Sequence, residues 1–323
     1  KLNNSTTKAE VIRVSVIVPT VNSGHLLSRA LDSLVSQTYP AEHFGVIGVD
    51  NGSTEDTISV CQDYQSKLRN FKFIQMKHPG LHNGRHAGLN ASSGEILSFV
   101  DDDIEALPAW LEGVVESFSE SEVAMAGGKI LPRFESVPPA WIGELSTAVD
   151  NGWHLSLLSL LDLGDSVKEV PHEYVWGCNF SIRKKVLEQV GGFHPDSLPH
   201  NLLKYRGDGE NAVSFAVRDL GYKALYNPKA SVHHFVSIKR MSREYIYQRA
   251  FNEGISTSYS AVRQSGSRSA KLLVYSETSG TIYDVVNQGV VDGYNYHQQL
   301  IATDDQLYEW VLRKNYIGKN GVP

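Results

Sequence analysis

The sequence predicts an α/β fold built around a mainly parallel sheet, and two observations predict it. Short apolar segments typical of buried strands alternate with amphipathic, helix-like segments over about residues 14–100. Polar clusters directly follow three of the predicted strands, at 19–20, 50–51 and 101–103. In open parallel sheets, ligands bind beyond the carboxyl ends of the strands. The sequence therefore predicts a polar site at one edge of such a sheet.

The first part of the chain is the most regular. Its strands are short, mostly apolar runs, and its helices carry apolar residues at helical spacing. The predicted strands are 14–19, 44–50, 71–74 and 95–100. The predicted helices cover about 26–35, 54–64, 85–91 and 110–118. The polar residues 1–12 are predicted to form a loose lead-in.

The second part of the chain shows a weaker pattern. Strands are predicted at 123–130, 175–182 and 223–225, and helices at 184–190 and 210–220. The stretch 132–170, which contains two adjacent prolines and two tryptophans, is predicted to be irregular structure lying over the sheet. The pattern becomes helical again after about residue 240, with a break at 265–269.

Composition narrows the class of protein. The 323 residues are 41% hydrophobic and 20% charged, as in ordinary globular proteins, and the net charge of −6 argues against a general nucleic-acid binder. Two cysteines, Cys61 and Cys178, cannot form a disulfide framework, which fits a reducing compartment. No signal-peptide pattern or membrane-length apolar run is visible. We expect a cytoplasmic protein, either free or at the membrane periphery.

The acidic run 101–103 is a candidate metal site. Three adjacent carboxylates repel one another, and a divalent cation such as Mg²⁺ or Mn²⁺ offsets that repulsion by taking oxygen ligands. Asp101 and Asp103 are two residues apart, so they would lie on one side of an extended segment. A solvated acidic turn, with no ligand, is the alternative interpretation.

Eight short motifs follow one another in order along residues 14–237. They cover 14–22, 49–54, 84–90, 94–103, 176–180, 191–193, 207–211 and 228–234. Each motif alone is weak, but their order and spacing together resemble the family 2 glycosyltransferases. This resemblance implies a GT-A fold, which is a Rossmann-like mixed, mainly parallel sheet flanked by helices. It implies a catalytic domain over 1–240, with a nucleotide-sugar half at about 11–130, an acceptor half at about 131–240, and a mainly helical extension over 241–323.

The resemblance implies a nucleotide-sugar site at the strand ends. The residues that match the family's positions are Pro19, Thr20, Asn22, Asp50, Asn51, Arg85, Asp101 and Asp102. Asp50 would accept a hydrogen bond from a pyrimidine ring N–H, although an Asx turn before 51–52 explains the same residue and is compatible with binding. Arg85 matches a basic residue near the diphosphate, and an ordinary surface arginine on a helix is the equal alternative.

The metal site implied by the resemblance consists of Asp103 and His234, which would hold Mn²⁺ or Mg²⁺. Because three acids are adjacent, Asp102 can take the place of either neighbour, and His233 can take the place of His234. Nearby cations at Lys239, Arg240 and Arg243 either clamp the diphosphate or form a solvated basic patch. His86 stands where many relatives have asparagine, and we assign it no role.

The resemblance places the catalytic base at Glu210, with Asp208 as the competing candidate. A carboxylate near the metal but not bound to it can deprotonate the acceptor hydroxyl. The alternative is a helix N-terminus that is acidic because the helix dipole favours acids there. Trp176, next to Gly177, would form a stacking platform for the acceptor, unless it is a buried core tryptophan.

These residues together imply metal-assisted, inverting transfer of a sugar to an acceptor hydroxyl. The donor is expected to be a UDP-sugar, with dTDP- and GDP-sugars as alternatives, and the acceptor a saccharide or another hydroxyl compound. A homodimer formed through the C-terminal extension is one option. The rival functions are a nucleotidyltransferase, a phosphatase with an aspartate nucleophile, and a non-catalytic nucleotide-sugar-binding module. A nucleotidyltransferase would need a Gly-rich loop with arginine after the first strand, and residues 20–23 lack both. A phosphatase of this kind would carry its Asp pair on the first strand, whereas the acidic run here is at 101–103.

Overall fold

The structure is a computed structural model that describes residues 14–268, 271–276, 280–318 and 321–322. The predicted lead-in at 1–12 and residue 269 of the predicted break lie outside the described residues. The strands are, in chain order, β1 (Val14–Thr20), β2 (Phe44–Asp50), β3 (Phe71–Gln75), β4 (Ile96–Val100), β5 (Ile104–Ala106), β6 (Val123–Gly127), β7 (Ile130–Phe134), β8 (Thr147–Val149), β9 (Gly152–Leu155), β10 (Leu160–Asp162), β11 (Lys168–Glu169), β12 (Asn179–Arg183), β13 (Lys223–Tyr226) and β14 (Val232–Val236).

The helices lie between and after these strands. The α-helices are α1 (Gly24–Val35), α2 (Thr57–Tyr64), α3 (Leu81–Ala91), α4 (Trp110–Ser117), α5 (Ala140–Glu144), α6 (Lys184–Gln189), α7 (Glu210–Asp219), α8 (Arg243–Ser265), α9 (Ile282–Ile301) and α10 (Asp305–Val311). Short 3-10 helices cover Ala41–His43, Ser156–Leu158, His172–Tyr174, His200–Tyr205 and Ile238–Met241. None of the described helices is long and apolar enough to cross a bilayer.

A mixed, mainly parallel sheet forms the centre of the molecule, as the sequence predicts. Its strand order is β11-β13-β6-β12-β4-β1-β2-β3. Strands β4, β1, β2 and β3 are mutually parallel, β13 is parallel to β6, and β12 is antiparallel to both of its neighbours. Every residue of β1 is buried. Burial on both faces explains why this strand is a nearly continuous apolar run in the sequence.

Strand register brings the polar strand ends to one edge. Thr20 pairs with Asp50 across the parallel strands β1 and β2, and β4 ends at Val100, directly before the acidic run. Helix α3 packs closely over β1 because Gly88 faces Ile17, and any side chain at Gly88 would collide with it. This close approach sets the position of the other residues on α3.

The structure corrects the sequence prediction for residues 132–170, because this stretch forms regular strands. Together with β5 and β14 it builds a second, six-stranded sheet in the order β5-β14-β7-β10-β9-β8. The predicted strand 123–130 is divided between the two sheets, since Gly128 passes so close to the carbonyl of Ala230 that a Cβ would not fit. The new strands are three to five residues long, which is too short for a periodic pattern to be recognised. The predicted strand 175–182 is likewise shorter, because only Asn179–Arg183 pairs.

The end of the chain is helical, as predicted. Helices α8 and α9 run side by side in the same direction, because Tyr247 contacts Asp292 and, further along both helices, Ser258 contacts His297. Helix α8 ends at Ser265, where Gly266 adopts a left-handed conformation (φ 63°). The indole nitrogen of Trp310 donates to the carbonyl of Tyr205 at 2.8 Å, so the last helices pack against the loop that precedes α7.

Candidate active site

A cleft of about 390 Å³ lies at the carboxyl edge of β1, β2 and β4. Five of the predicted nucleotide-sugar residues line it, namely Pro19, Thr20, Asn51, Asp101 and Asp102. Residues 79–81 and 197–199 also line the cleft. The Thr20 hydroxyl donates to Asp102 Oδ2 at 2.6 Å, which ties the loops after β1 and β4 together. The cleft is therefore built from strand ends that are far apart in sequence and adjacent in the sheet.

Asn22 and Asp50 connect the loops beside this cleft. Asn22 has φ 51°, and its side-chain oxygen accepts a hydrogen bond from the backbone of Thr54 at 2.8 Å. The buried carboxylate of Asp50 accepts from the backbone N–H of Ser53 at 2.9 Å. This contact is the turn geometry that was the alternative interpretation of Asp50. Both side chains hold loops in place, and residues adjacent to these two side chains in sequence line the cleft.

Arg85 is buried at the centre of the site, so the surface-arginine interpretation is wrong. Its side chain is 2% exposed, and its guanidinium lies 3.2 Å from Glu210 Oε2 and 3.9 Å from Asp101 Oδ1. It also donates to the carbonyl of Gly177 at 3.2 Å and lies over the ring of Phe193. Burial opposes its charge, but the carboxylates of Glu210, Asp101 and Asp196 outweigh burial and raise the pKa of Arg85. Arg85 thus joins the acidic run to Glu210.

Asp103 forms a second charged cluster with His234 and Arg240. Asp103 Oδ1 lies 3.3 Å from His234 Nε2, and Arg240 Nη1 donates to Asp103 Oδ2 at 2.8 Å. Burial opposes ionisation of Asp103, but the charged groups that face it, among them the guanidinium of Arg240, lower its pKa. Asp102 differs, because burial, with the charge of Asp103 nearby, raises its pKa to about 7. Burial likewise raises the pKa of Asp101 to about 6, although Arg85 opposes the shift.

Asp103 and His234 fit a divalent metal ion. Asp103 Oδ1 is buried and accepts no hydrogen bond, and His234 Nε2 faces it. Cis ligands of an ion with bonds of about 2.1 Å lie about 3 Å apart, which is close to this separation. His233 points to the other face of β14, because successive strand residues alternate. No group of three or more His, Cys, Asp or Glu side chains suited to a metal occurs within the part of the chain that the structure describes. Substrate oxygens and water would have to complete the shell.

Glu210 lines a second cavity of about 260 Å³. Besides its contact with Arg85, it accepts a hydrogen bond from the backbone N–H of Gly177 at 3.1 Å. Asp208 also reaches this cavity but is more fully engaged, because His194 Nδ1 lies 2.6 Å from its Oδ1 and the Ser260 hydroxyl donates to its Oδ2 at 2.7 Å. Of the two predicted base candidates, Glu210 has the more exposed side chain, at 25% against 8%.

The second cavity contains Trp176, which the sequence analysis selected, and several residues for which the sequence offers little or no signal. The indole N–H of Trp176 donates to the backbone carbonyl of Glu173 at 2.7 Å. The other residues that line the cavity are Ser156, Leu157, Ser159, Asp196, Arg206, Asn211, Arg249, Glu253 and Ser256. Asp196 pairs with Arg206 at 2.7 Å, and Arg249 pairs with Glu253 at 2.9 Å. The second pair has the i, i+4 spacing of a helical ion pair, which was the one signal available in the sequence.

The fold and the site define a class of α/β protein with a polar cleft at the carboxyl ends of parallel strands and a charged cavity beside it. A family model described as "Glycosyl transferase family 2" matches residues 15–191, more than half of the chain. The chain therefore belongs to glycosyl transferase family 2, and the resemblance seen in its motifs is confirmed.

Several named glycosyltransferases are similar to this chain. Glycosyltransferase AglE of Haloferax volcanii is 29% identical over 66% of this chain and 64% of its own length. A glucosyl-dolichyl phosphate glucuronosyltransferase of the same organism is 23% identical over 76% of each chain. A poly(ribitol-phosphate) beta-glucosyltransferase of Bacillus spizizenii is 33% identical over 43% of this chain but only 22% of its own length.

Solved structures confirm the fold class. The mannosyltransferase PcManGT of Pyrobaculum calidifontis, in complex with GDP-Man and Mn²⁺, is 19% identical and covers 93% of this chain and 72% of its own, with a TM-score of 0.54. Residues 1–349 of Staphylococcus aureus TarS, in complex with UDP-GlcNAc, are 21% identical and cover 75% of this chain and 66% of their own, with a TM-score of 0.50. The chain thus has the GT-A fold.

Proposed function

We propose that this protein is an inverting glycosyltransferase that moves a sugar from a nucleotide diphosphate to an acceptor hydroxyl. One observation carries the proposal: the strand-edge cleft and the second cavity meet at Arg85. Arg85 contacts Asp101, which lines the cleft, and Glu210, which lines the cavity. A donor in the cleft and an acceptor in the cavity would therefore meet beside Glu210.

The donor is proposed to be a UDP-sugar. The loops held by Asn22 and Asp50 border the cleft, and an acidic side chain near a pyrimidine ring can accept its N–H. TarS and PcManGT were solved with UDP-GlcNAc and GDP-Man respectively, so both nucleotides belong in the first screen. The leaving diphosphate would lie near Asp103 and His234.

Asp103 and His234 are proposed to hold Mn²⁺ or Mg²⁺, which stabilises charge on a leaving diphosphate when it is bound. Glu210 is proposed to take the proton of the acceptor hydroxyl as that oxygen attacks the anomeric carbon. The bond to the diphosphate then breaks on the opposite face, which inverts the configuration. The two hydrogen bonds from Arg85 and Gly177 fix the direction of the Glu210 carboxylate.

The acceptor is proposed to be a neutral saccharide or polyol. The second cavity offers serine hydroxyls, an amide and two arginine–carboxylate pairs, which can donate to and accept from sugar hydroxyls. Trp176 would provide an apolar ring face beside these groups. Arg249, Glu253 and Ser256 lie on α8, so we also propose that the helical extension over 241–323 completes the acceptor half at 131–240 of the catalytic domain.

A screen of nucleotide sugars with the purified protein tests this proposal. Thermal stabilisation by one UDP-sugar in the presence of Mn²⁺, and loss of that stabilisation with EDTA, are the expected results. Slow release of UDP from that sugar, faster when saccharides are added, would then identify transfer. Binding without any release of UDP, with or without acceptors, would instead indicate a non-catalytic binding module.

A further inference from the structure

Arg240 bridges the side chains of the two residues that we assign to the metal. Its Nη1 donates to Asp103 Oδ2 at 2.8 Å and lies 3.0 Å from His234 Nε2. The same nitrogen lies 3.3 Å from the carbonyl of Phe235, and Nε donates to the hydroxyl of Tyr245 at 3.0 Å. The guanidinium is therefore held by both candidate ligands and by two further groups.

The tautomer of His234 follows from its other ring nitrogen. Nδ1 lies 3.0 Å from the carbonyl oxygen of Leu158, which can only accept, so Nδ1 carries the hydrogen. Arg240 Nη1, which can only donate, lies 3.0 Å from Nε2, so Nε2 presents its lone pair to the guanidinium. The side chain of His234 is 1% exposed, so water cannot easily satisfy this nitrogen.

Two acceptors that face each other in a buried site need a positive charge near them. In this structure the guanidinium of Arg240 supplies that charge. Among the described residues, it is the one cationic group that contacts both Asp103 and His234. A divalent ion at the same ligands would lie within a few ångströms of the guanidinium. Like charges at that separation repel strongly where water is scarce, so the two cations exclude each other.

We propose that Arg240 is a resident cation of the metal site, so that a divalent ion alone binds weakly and binds well only together with the nucleotide diphosphate. This inference rests on the proposed metal site of Asp103 and His234. When the nucleotide diphosphate binds, the guanidinium would leave Asp103 and donate charge-assisted hydrogen bonds to the phosphate oxygens. Arg240 lies on the short 3-10 helix Ile238–Met241 and its side chain is partly exposed, so the guanidinium can turn toward the phosphates while the buried Met241 stays in place.

The proposal makes metal and nucleotide binding reciprocal. If the diphosphate removes Arg240 from the ligands, it strengthens metal binding, and the metal must strengthen nucleotide binding by the same factor. Removing the guanidinium would abolish much of this coupling. The free protein would then bind metal more tightly, and UDP would add less.

Titration of Mn²⁺ followed by the electron paramagnetic resonance of the free ion tests this without any turnover. We expect Arg240→Gln to bind Mn²⁺ alone about tenfold more tightly than the unaltered protein, a typical coupling factor. UDP should tighten Mn²⁺ binding in the unaltered protein and do so less in the variant. Arg218→Gln is the matched control, because Arg218 is exposed on α7, pairs with Asp219 at 3.0 Å and has no contact with Asp103 or His234 among the described interactions.

Unchanged or weaker Mn²⁺ binding by Arg240→Gln would overturn the proposal. If the unaltered protein does not bind Mn²⁺ even with UDP, the metal site itself is wrong, which is a different result. Should Arg240→Gln fail to fold, Tyr245→Phe removes the hydrogen bond to Nε and should give a smaller gain in the same direction. No gain in that variant would also overturn the proposal.

Discussion

The two halves of the site are built in different ways. The proposed donor cleft is formed mainly by the ends of three parallel strands, which the register of β1, β2 and β4 brings together, and residues 79–81 and 197–199 complete it. The proposed acceptor cavity takes its residues from the loop at 156–159, from Trp176, from the segment 196–211 and from α8. A sheet edge is thus a local consequence of strand pairing, whereas the cavity depends on how separate segments pack.

The largest effect is expected where the two halves meet. Glu210→Gln keeps one of the two hydrogen-bond acceptors of the carboxylate and replaces the other with an amide NH₂ group. It also removes the base, so turnover should fall by about 10²–10⁴-fold. Donor binding, measured by calorimetry with UDP and Mn²⁺, should remain. Glu188→Gln is the control, since Glu188 is exposed on α6. If Asp208→Asn loses turnover and Glu210→Gln keeps it, the base is Asp208 instead.

Metal removal should affect the donor cleft and spare the acceptor cavity. Asp103→Ala removes the carboxylate that faces His234, so the gain in donor affinity from Mn²⁺ should disappear, a loss of at least about tenfold. Calorimetry of UDP with Mn²⁺ or with EDTA measures it. A variant that still responds fully to Mn²⁺ would show that Asp101 or Asp102 binds the ion.

Acid should destabilise the folded protein through buried, neutral histidines on α3 and α9. Burial lowers the pKa of His82 to about 4, of His86 to about 3 and of His297 to about 4. Between the ordinary histidine pKa of about 6.5 and these values the unfolded chain binds protons that the folded chain does not. The free energy of unfolding should therefore fall as pH drops through that range, by up to about 1.4 kcal/mol per pH unit for each histidine.

Urea denaturation at several pH values between 7 and 5 measures this loss. His297→Asn removes one of the three groups, in the helical extension, and should make the dependence on pH less steep by about one proton. An unchanged slope would mean that His297 is not buried as a neutral ring.

The smallest effect is expected at the connection between α8 and the loop before α7. The Ser260 hydroxyl donates to Asp208, which His194 also contacts, so Ser260→Ala removes one of two partners. The free energy of unfolding should fall by about 1 kcal/mol, the usual cost of one such hydrogen bond. The melting temperature measures it, and turnover should change little. A large loss of turnover with unchanged stability would place Asp208 in catalysis.

Prediction from sequence succeeded where local pattern and structure coincide. β1 and β2 are recognisable because strands buried on both faces are apolar throughout. It failed over 132–170, where strands of three to five residues pair with distant partners such as β14. It also left Arg85 undecided, because nothing in α3 itself shows that Phe193 and Glu210 cover its guanidinium.

By itself, the sequence determined the parallel sheet, the polar strand ends and the helical C-terminus. These depend on periodicity and on the positions where apolar runs stop, both of which are local properties of a chain. Only the tertiary structure decided which acids are engaged, that His234 and not His233 faces Asp103, and that Arg240 lies between them. The contacts of Asp103 with His234 and Arg240 join residues more than a hundred positions apart, and no spacing in the chain encodes them.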